Sequence, residues 1–170
     1  MDTSKVLLND NELVVTYGAS TKEQRADCYN RYKIEAEEHD DVVLNSKLFV
    51  DVSYPLYELW ENDQLVGLLN IDLSSSSSES SSVITISIEG VMLLDEARGR
   101  DFSLALGSTA AEHIATTYQL DKISPNDNRT VYVSADLESE AGESFVEDFY
   151  DELSSFNSDA DKLFLRDWSF

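Results

Sequence analysis

The residues best suited to chemistry lie in one short segment in the middle of the chain, Val91–Ser103. An apolar run ends there in Arg98-Gly99-Arg100-Asp101, and an amphipathic stretch begins directly afterwards. A strand–turn–helix of this kind presents free backbone N–H groups and the positive end of a helix dipole, which together bind anions. Two arginines add positive charge at the turn. The segment predicts a phosphate-binding turn; the alternative is an ordinary connection with Asp101 as the helix N-cap.

This segment resembles motif A of the GCN5-related N-acetyltransferases, the GNAT family. That family carries Arg/Gln-x-x-Gly-x-Gly/Ala between a central strand and a helix, and Arg98, Gly99 and Arg100 are similar to its opening. Asp101 stands where the family usually has its first Gly, and Ser103 stands where it has Gly or Ala. A second segment, FYDELSSF at residues 149–156, is similar to the family's Phe-Tyr-Glu-Lys-Leu-Gly-Phe sequence. The resemblance covers residues 12–170.

The resemblance implies direct transfer of an acetyl group from acetyl-CoA to a primary amine. Tyr150 matches the family's usual acid, which protonates the departing thiolate; a helix tyrosine packed on the sheet is the alternative. Glu89 is the candidate base, since burial on the central strand would raise its pKa; a solvated carboxylate is the alternative. The implied cofactor-binding residues are Met92, Leu93, Leu94, Arg98, Gly99, Arg100, Asp101, Phe102 and Ser103.

The implied cofactor site contains one group of residues that would assist CoA binding and one residue that would oppose it. Backbone N–H groups of Met92, Leu93 and Leu94 would pair with the pantetheine and polarise the thioester carbonyl. Asp101 would put a carboxylate beside a polyanionic cofactor, at a cost of about 1 kcal/mol or more. Either Asp101 turns away as an N-cap, or CoA binds weakly.

The charge of the chain limits its partners. In 170 residues, 34 Asp+Glu against 12 Lys+Arg give a net charge of −22. Because phosphate binding depends on Lys and Arg, we expect no nucleic acid and no membrane surface as partner. We expect a cationic small molecule, a polyamine or a basic protein surface. A non-catalytic acidic protein that binds a basic partner is therefore a second hypothesis, and adaptation to salt would explain the acidity with either function.

Length and composition are typical of one globular domain spanning residues 1–170. The N-terminus lacks the features of a signal peptide, and no apolar run approaches the length of a membrane span. We therefore expect a soluble cytoplasmic protein. The single cysteine, Cys28, excludes an intramolecular disulfide, and with two histidines in the chain we expect no Cys/His zinc site.

The elements that would position these residues follow from the hydrophobic periodicity. Strands are predicted at 13–17, 56–60, 65–73, 83–94 and 130–135 and from 163 onwards, and helices at 21–38, 102–118 and 144–153. Ser20 and Glu23 have the spacing of a capping box for the first helix. Residues 48–50 fit a helix or a strand equally well.

Two further features of the pattern concern the central strands. The tract 74–82, eight serines around Glu79, predicts a flexible hairpin loop. Gly90 within a strand predicts a bulge or a close backbone approach. The order of elements predicts an α+β, single-domain, GNAT-like fold, with a central mixed, mostly antiparallel sheet and helices on both faces. Its exposed final strand offers an edge for a homodimer.

Overall fold

The structure, a computed structural model, describes residues 5–10, 13–78, 81–98, 101–136 and 140–169. Gly99 and Arg100, two of the implied cofactor-binding residues, lie outside the described residues. Within the described part of the chain, no helix is long and apolar enough to cross a membrane.

A seven-stranded sheet, with its strands in sequence order, forms the centre of the fold. The strands are β1 Lys5–Asp10, β2 Leu13–Tyr17, β3 Tyr57–Glu61, β4 Gln64–Ser77, β5 Ser82–Leu93, β6 Arg129–Asp136 and β7 Phe164–Ser169. Neighbours from β1 to β5 are antiparallel, whereas β5, β6 and β7 run parallel to one another. The predicted α+β class, with a mixed and mostly antiparallel sheet, is confirmed.

Five helices connect these strands in the described residues. They are α1 Lys22–His39, α2 Lys47–Val50, α3 Phe102–Tyr118, α4 Glu140–Ser155 and α5 Ala160–Leu163, and a 3₁₀ turn spans Asp95–Ala97. The ambiguous residues 48–50 are helical. One apolar cluster joins the sheet to the helices, with Leu59, Leu68 and Ile86 fully buried inside it. The order agrees with the GNAT-like fold that the resemblance implies.

The start of α1 differs from the prediction by one residue. Thr21, not Ser20, is the N-cap, and its capping box is completed by Gln24 rather than Glu23. The reason is that the Ser20 hydroxyl is engaged elsewhere, in a short hydrogen bond to the buried carboxylate of Glu58.

The serine tract is the second correction. Ser74–Ser77 belong to β4 and Ser82 begins β5, so the loop predicted for 74–82 is wrong for these residues. Ser74 pairs with Thr85 and Ser77 with Ser82 in one antiparallel hairpin. Ladder hydrogen bonds use backbone groups, so serine continues a strand where its side chain remains in water.

Candidate functional site

A cavity of about 1120 Å³ opens beside the carboxyl end of β5. β5 and β6 pair only as far as Ile88 and Ala135, whereas β5 continues to Leu93. The last residues of β5 thus face the beginning of α4 across a gap, and Arg98 and Ser103 also line it. Crevices at the carboxyl ends of parallel strands are the usual ligand sites of such sheets.

The strand that forms one wall of this cavity carries a β-bulge. Gly90 is opposite Asn70 and Ile88 is opposite Ile71, so Glu89 is opposite no residue of β4. A Cβ at Gly90 would lie 2.9 Å from Cζ of Phe49 on α2. Gly90 therefore marks a bulge and a close approach together, as its position predicted. The bulge turns the Glu89 side chain into the cavity, where it is exposed rather than buried.

At the end of β5, some backbone N–H groups point toward β4 and others face the cavity. The Leu94 N–H donates to the carbonyl oxygen of Val66 at 2.9 Å, so it is used within the sheet. Because hydrogen-bonded and non-hydrogen-bonded pairs alternate along an antiparallel ladder, Met92 also turns its N–H toward β4. Leu93 and Val91 turn theirs away from β4, toward the cavity. Of the three predicted N–H groups, only that of Leu93 faces the cavity.

The turn after β5 is built around Arg98. Its Nε donates to the Leu93 carbonyl oxygen at 3.1 Å and its Nη1 donates to Asp41 Oδ2 at 3.1 Å. Nη1 also lies 3.4 Å from Asp95 Oδ1. The guanidinium is half-buried and its charge is shared by two carboxylates, so it acts here as a link between segments.

The residues at the start of α3 differ in their exposure. Asp101 occupies the N-cap position of α3, as predicted, and is exposed, but its side chain makes no capping hydrogen bond to the described residues. Phe102 packs against the apolar core, whereas Ser103 is half-buried and lines the cavity. Of the α3 residues that the resemblance implies as cofactor-binding, Ser103 is therefore the one that lines the cavity.

The segment after α1 forms another wall of the cavity. The Tyr29 hydroxyl donates to the Leu44 carbonyl oxygen at 2.7 Å, and the Tyr32 hydroxyl donates to that of Val42 at 2.8 Å. Burial raises the pKa of Tyr32. Two tyrosines of one helix thus hold the wall in place.

Tyr150 lies against β7. Its ring centre is 6.3 Å from that of Phe164 and 5.4 Å from that of Trp168, and the guanidinium carbon of Arg166 is 5.7 Å from it. Burial raises the pKa of its hydroxyl. Trp168 lines the cavity. Tyr150 is not among the described residues that line it. These contacts are those of a tyrosine packed on the sheet, and the acid role stays a prediction.

Carboxylates dominate the cavity wall. Among the described lining residues, Arg98 alone is basic, and the acidic ones are Asp41, Glu89, Asp136, Asp148 and Asp167. Asp167, Ser134 and Ser87 lie side by side across the three parallel strands. The two serine hydroxyls are 3.0 Å apart, and the Tyr132 hydroxyl donates to Asp167 Oδ2 at 2.5 Å.

Most of these carboxylates lie in no local sequence motif that marks them as site residues. Asp148 lies in an acidic stretch of α4, and such a stretch most often forms a solvated helix face. Asp136 follows Ala135 at the end of β6, and Asp167 lies between Arg166 and Trp168 near the end of β7. Their positions near the carboxyl ends of two strands are the signal that the sequence offers. Their convergence depends on the parallel register of these strands.

Comparison with known proteins gives distant structural likenesses. No family model and no curated protein matches the chain. An integron cassette protein from the mobile metagenome of V. cholerae is similar over 85% of both chains, with 12% identity and a TM-score of 0.47. The aminoglycoside acetyltransferase meta-AAC0020, from an uncultured soil metagenomic sample, is similar over 85% of this chain and 88% of its own, at 12% identity and TM-score 0.45. A possible acetyltransferase from Clostridium difficile 630 is similar over 76% and 82%, at 13% identity and TM-score 0.44.

Proposed function

We propose that the protein is an acetyl-CoA-dependent N-acetyltransferase whose acceptor is a cationic amine. The observation that carries this proposal is the cavity at the carboxyl end of β5. There the outward backbone groups of Val91 and Leu93, the start of α3 and five carboxylates meet in one crevice. The two motif resemblances in the sequence support the same activity.

The cofactor side of the cavity is the end of β5 together with the start of α3. The N–H groups of Val91 and Leu93 are suited to hydrogen-bond the pantetheine as an added strand would. The amino-terminal end of α3 and the Ser103 hydroxyl are suited to the cofactor phosphates. Because Asp101 is exposed, it can remain in solvent while a phosphate binds beside it.

The acceptor side is the carboxylate-lined part of the cavity. Asp136, Asp148 and Asp167 attract an ammonium group, and the net charge of −22 steers cations toward the protein. A small amine, a polyamine and a basic protein side chain all satisfy this chemistry. The acceptor that we propose is therefore a cationic primary amine.

The reaction requires two proton movements. Glu89 accepts a proton from the ammonium, and the neutral amine nitrogen then attacks the thioester carbonyl carbon. The C–S bond breaks as the C–N bond forms, and CoA leaves as a thiolate that takes up a proton. Tyr150 is the predicted donor of that proton. Loss of either group should lower turnover by about 10²-fold or more.

A binding protein without catalytic activity is the second candidate function. It is favoured by the arrangement at Arg98, whose guanidinium is already paired with Asp41 and Asp95. Asp101 adds another exposed carboxylate at the same turn. In this candidate function, the acidic surface binds a basic protein patch and no cofactor enters the cavity.

The test is a thermal-shift and calorimetric titration with acetyl-CoA on the wild-type protein and on Asp101→Gly. Ligand at about 100 times Kd stabilises a fold by about 2.7 kcal/mol. A clear shift with the wild type supports the proposal. No shift with the wild type but binding by Asp101→Gly would favour the binding protein, and no binding by either would refute the acetyltransferase.

If acetyl-CoA binds, release of CoA thiol is then followed with spermidine, an aminoglycoside and a lysine-rich peptide as acceptors. Glu89→Gln should abolish most of this release, since the base is lost. Glu112→Gln is the matched control, because Glu112 is an exposed carboxylate on α3 that does not line the cavity. Equal activity of the two variants would exclude Glu89 as the base.

A further inference from the structure

One face of the sheet is packed against α1 and α2 at its first strands only. Glu58 of β3 points to this face, where it pairs with Arg25 of α1 at 3.2 Å. Asn70 of β4, on the same face, donates from Nδ2 to the Leu48 carbonyl oxygen of α2 at 2.6 Å. Two residues farther along β4, Asp72 is exposed. Among the described residues, the cover that α1 and α2 provide therefore ends near the middle of β4.

Beyond this cover, the same face begins with a row of four side chains, one on each of β4, β5, β6 and β7. Asp72 of β4 is paired with Ser87 of β5. Ser134 of β6 lies between Ser87 and Asp167 of β7. Paired residues of neighbouring strands point to the same side of a sheet, so these side chains stand next to one another. Ser87, Ser134 and Asp167 also line the cavity, so the row is continuous with the proposed active site.

A second row lies behind the first, farther from the cavity. It consists of Ser74, Thr85, Tyr132 and Leu165. Leu165 is 55% exposed, whereas Ile86, which points to the opposite face, is fully buried in the core. We name the first and second rows together the hydroxyl face. It is a mostly polar surface about 14 Å wide across the four strands, with an area of roughly 200–300 Å².

The charge and the size of the hydroxyl face both indicate what binds there. It carries two carboxylates, those of Asp72 and Asp167, and none of its eight residues is basic. A second copy of this chain would bring another net charge of −22 against it. A stable dimer also needs about 800 Å² on each subunit, several times the area of this face. A short cationic peptide satisfies both limits, since its charge is opposite and it needs little area.

The spacing of the two carboxylates specifies the peptide further. Three strand spacings of about 4.8 Å separate Asp72 from Asp167, about 14 Å in total, and the Tyr132 hydroxyl holds the Asp167 carboxylate by its bond to Oδ2. An extended peptide rises about 3.4 Å per residue, so its residues i and i+4 are also about 14 Å apart and point to the same side. Residue i+2 points that way too and lies over Ser87 and Ser134, which line the cavity. Basic side chains at i and i+4 can therefore reach the two carboxylates while residue i+2 faces the cavity.

We infer that the hydroxyl face docks an extended basic peptide and that the lysine at the centre of this peptide is the acetyl acceptor. Basic residues two positions before and two positions after the lysine contact Asp72 and Asp167. The lysine ammonium gives one proton to Glu89, and its neutral nitrogen forms the C–N bond as the thioester C–S bond breaks. The second proton that this nitrogen loses leaves with CoA as the thiol. The inference rests on the proposed function and narrows its acceptor class to a lysine within a polypeptide.

The first experiment needs no cofactor. Two peptides of equal composition and charge, Arg-Gly-Lys-Gly-Arg and Gly-Arg-Lys-Arg-Gly, both acetylated and amidated at their ends, are titrated against the full chain by calorimetry and NMR. We expect the first peptide to bind about two- to fivefold more tightly, the effect of one exposed ion pair, because only its arginines point to the same side as the lysine. The NMR shift changes that it causes should concentrate on the two rows of the hydroxyl face.

The second experiment uses Asp72→Asn, since Asp72 is on the hydroxyl face and is not among the described residues that line the cavity. This variant should bind Arg-Gly-Lys-Gly-Arg about two- to fivefold more weakly and reduce its advantage over the other peptide. Glu112→Gln is the matched control, because it removes the same charge from an exposed carboxylate on α3. In the assay of CoA release, Asp72→Asn should raise KM for the first peptide by the same factor. It should leave kcat, and KM for N-acetyl-lysine methylamide, unchanged.

The outcomes separate this inference from the proposed function. Equal binding of the two peptides, shift changes away from the hydroxyl face, or equal effects of Asp72→Asn and Glu112→Gln would each overturn the inference, because net charge alone would then explain binding. If the first peptide docks as expected but the wild type binds no acetyl-CoA, the docking surface is upheld and the proposed function fails. If N-acetyl-lysine methylamide is acetylated while the two peptides bind equally, the proposed function stands and the inference fails.

Discussion

Arg25 and Glu58 form an ion pair that is closed off from water, with side chains 2% and 0% exposed. The guanidinium Nη2 lies 3.2 Å from Glu58 Oε1, and Nη1 donates to the carbonyl oxygens of Asp51 and Tyr54. The carboxylate also accepts from the Thr16 hydroxyl at 2.6 Å. Such a pair is tolerated in a core because every charged atom has a hydrogen-bond partner.

Removing one member of this pair should be costly. Arg25→Met leaves the Glu58 charge buried without its counter-ion, and we expect a loss of about 3–5 kcal/mol in the free energy of unfolding. Arg31→Met is the matched control on the same helix, because the Arg31–Glu96 pair is exposed and worth at most about 1 kcal/mol. Urea unfolding of both variants measures the difference. Similar losses would show that burial does not make the Arg25–Glu58 pair more important for stability than the Arg31–Glu96 pair.

Cys28 should be chemically silent in the folded protein. Its side chain is 1% exposed, and burial raises the pKa of its thiol to about 12. The thiolate is the reactive form, so iodoacetamide at about pH 8 should label the unfolded protein only. Mass spectrometry of native and urea-unfolded samples reads the outcome directly. Rapid labelling of the native protein would show that α1 opens from the sheet.

The arrangement of the elements was largely predictable from the sequence, and the exceptions have physical causes. Periodicity located α3 at its observed bounds, because its apolar face repeats at helical spacing. It did not locate β1, whose short apolar run becomes a strand by pairing with β2. Ser74–Ser77 were also missed as strand, since their ladder uses backbone groups that composition does not report.

Only those parts of the candidate site whose residues lie close together in the sequence could be predicted. The turn at Arg98 and the bulge at Gly90 each have a signature within a few residues. The cavity wall does not, because Asp41, Asp136 and Asp167 come from three segments that are far apart in the sequence. Their meeting is decided by strand register and by the packing of the segment after α1, which a single sequence does not specify.

The bulge in β5 gives a prediction at the level of packing between elements. Alanine at position 90 would place a Cβ 2.9 Å from Phe49 Cζ, so the fully buried Phe49 ring or the strand must shift to make room. We expect Gly90→Ala to lower the free energy of unfolding by about 1–3 kcal/mol. In a Phe49→Leu background the same substitution should cost less, because the obstructing ring is gone. A double-mutant cycle in urea with no coupling would refute this contact.

At the level of the whole molecule, the net charge of −22 sets how stability responds to salt. Mutual repulsion of the carboxylates opposes folding, and the Debye length falls from about 10 Å at 0.1 M salt to about 3 Å at 1 M. We expect the melting temperature to rise over this range of KCl. Choline chloride should act similarly, since screening depends on ionic strength. A melting temperature that falls with both salts would contradict this account.

The negative charge of the protein has opposite effects on the binding of the two proposed substrates. Acetyl-CoA is a polyanion that the protein's charge repels, so screening should lower its Kd as salt rises. A cationic acceptor is attracted by Asp136, Asp148 and Asp167, so its KM should rise under the same conditions. Asp148→Asn should weaken the salt dependence for the acceptor and leave that for acetyl-CoA nearly unchanged, because one carboxylate is a small part of the total charge. Parallel salt responses of the two substrates would mean that the cavity carboxylates do not contact the acceptor.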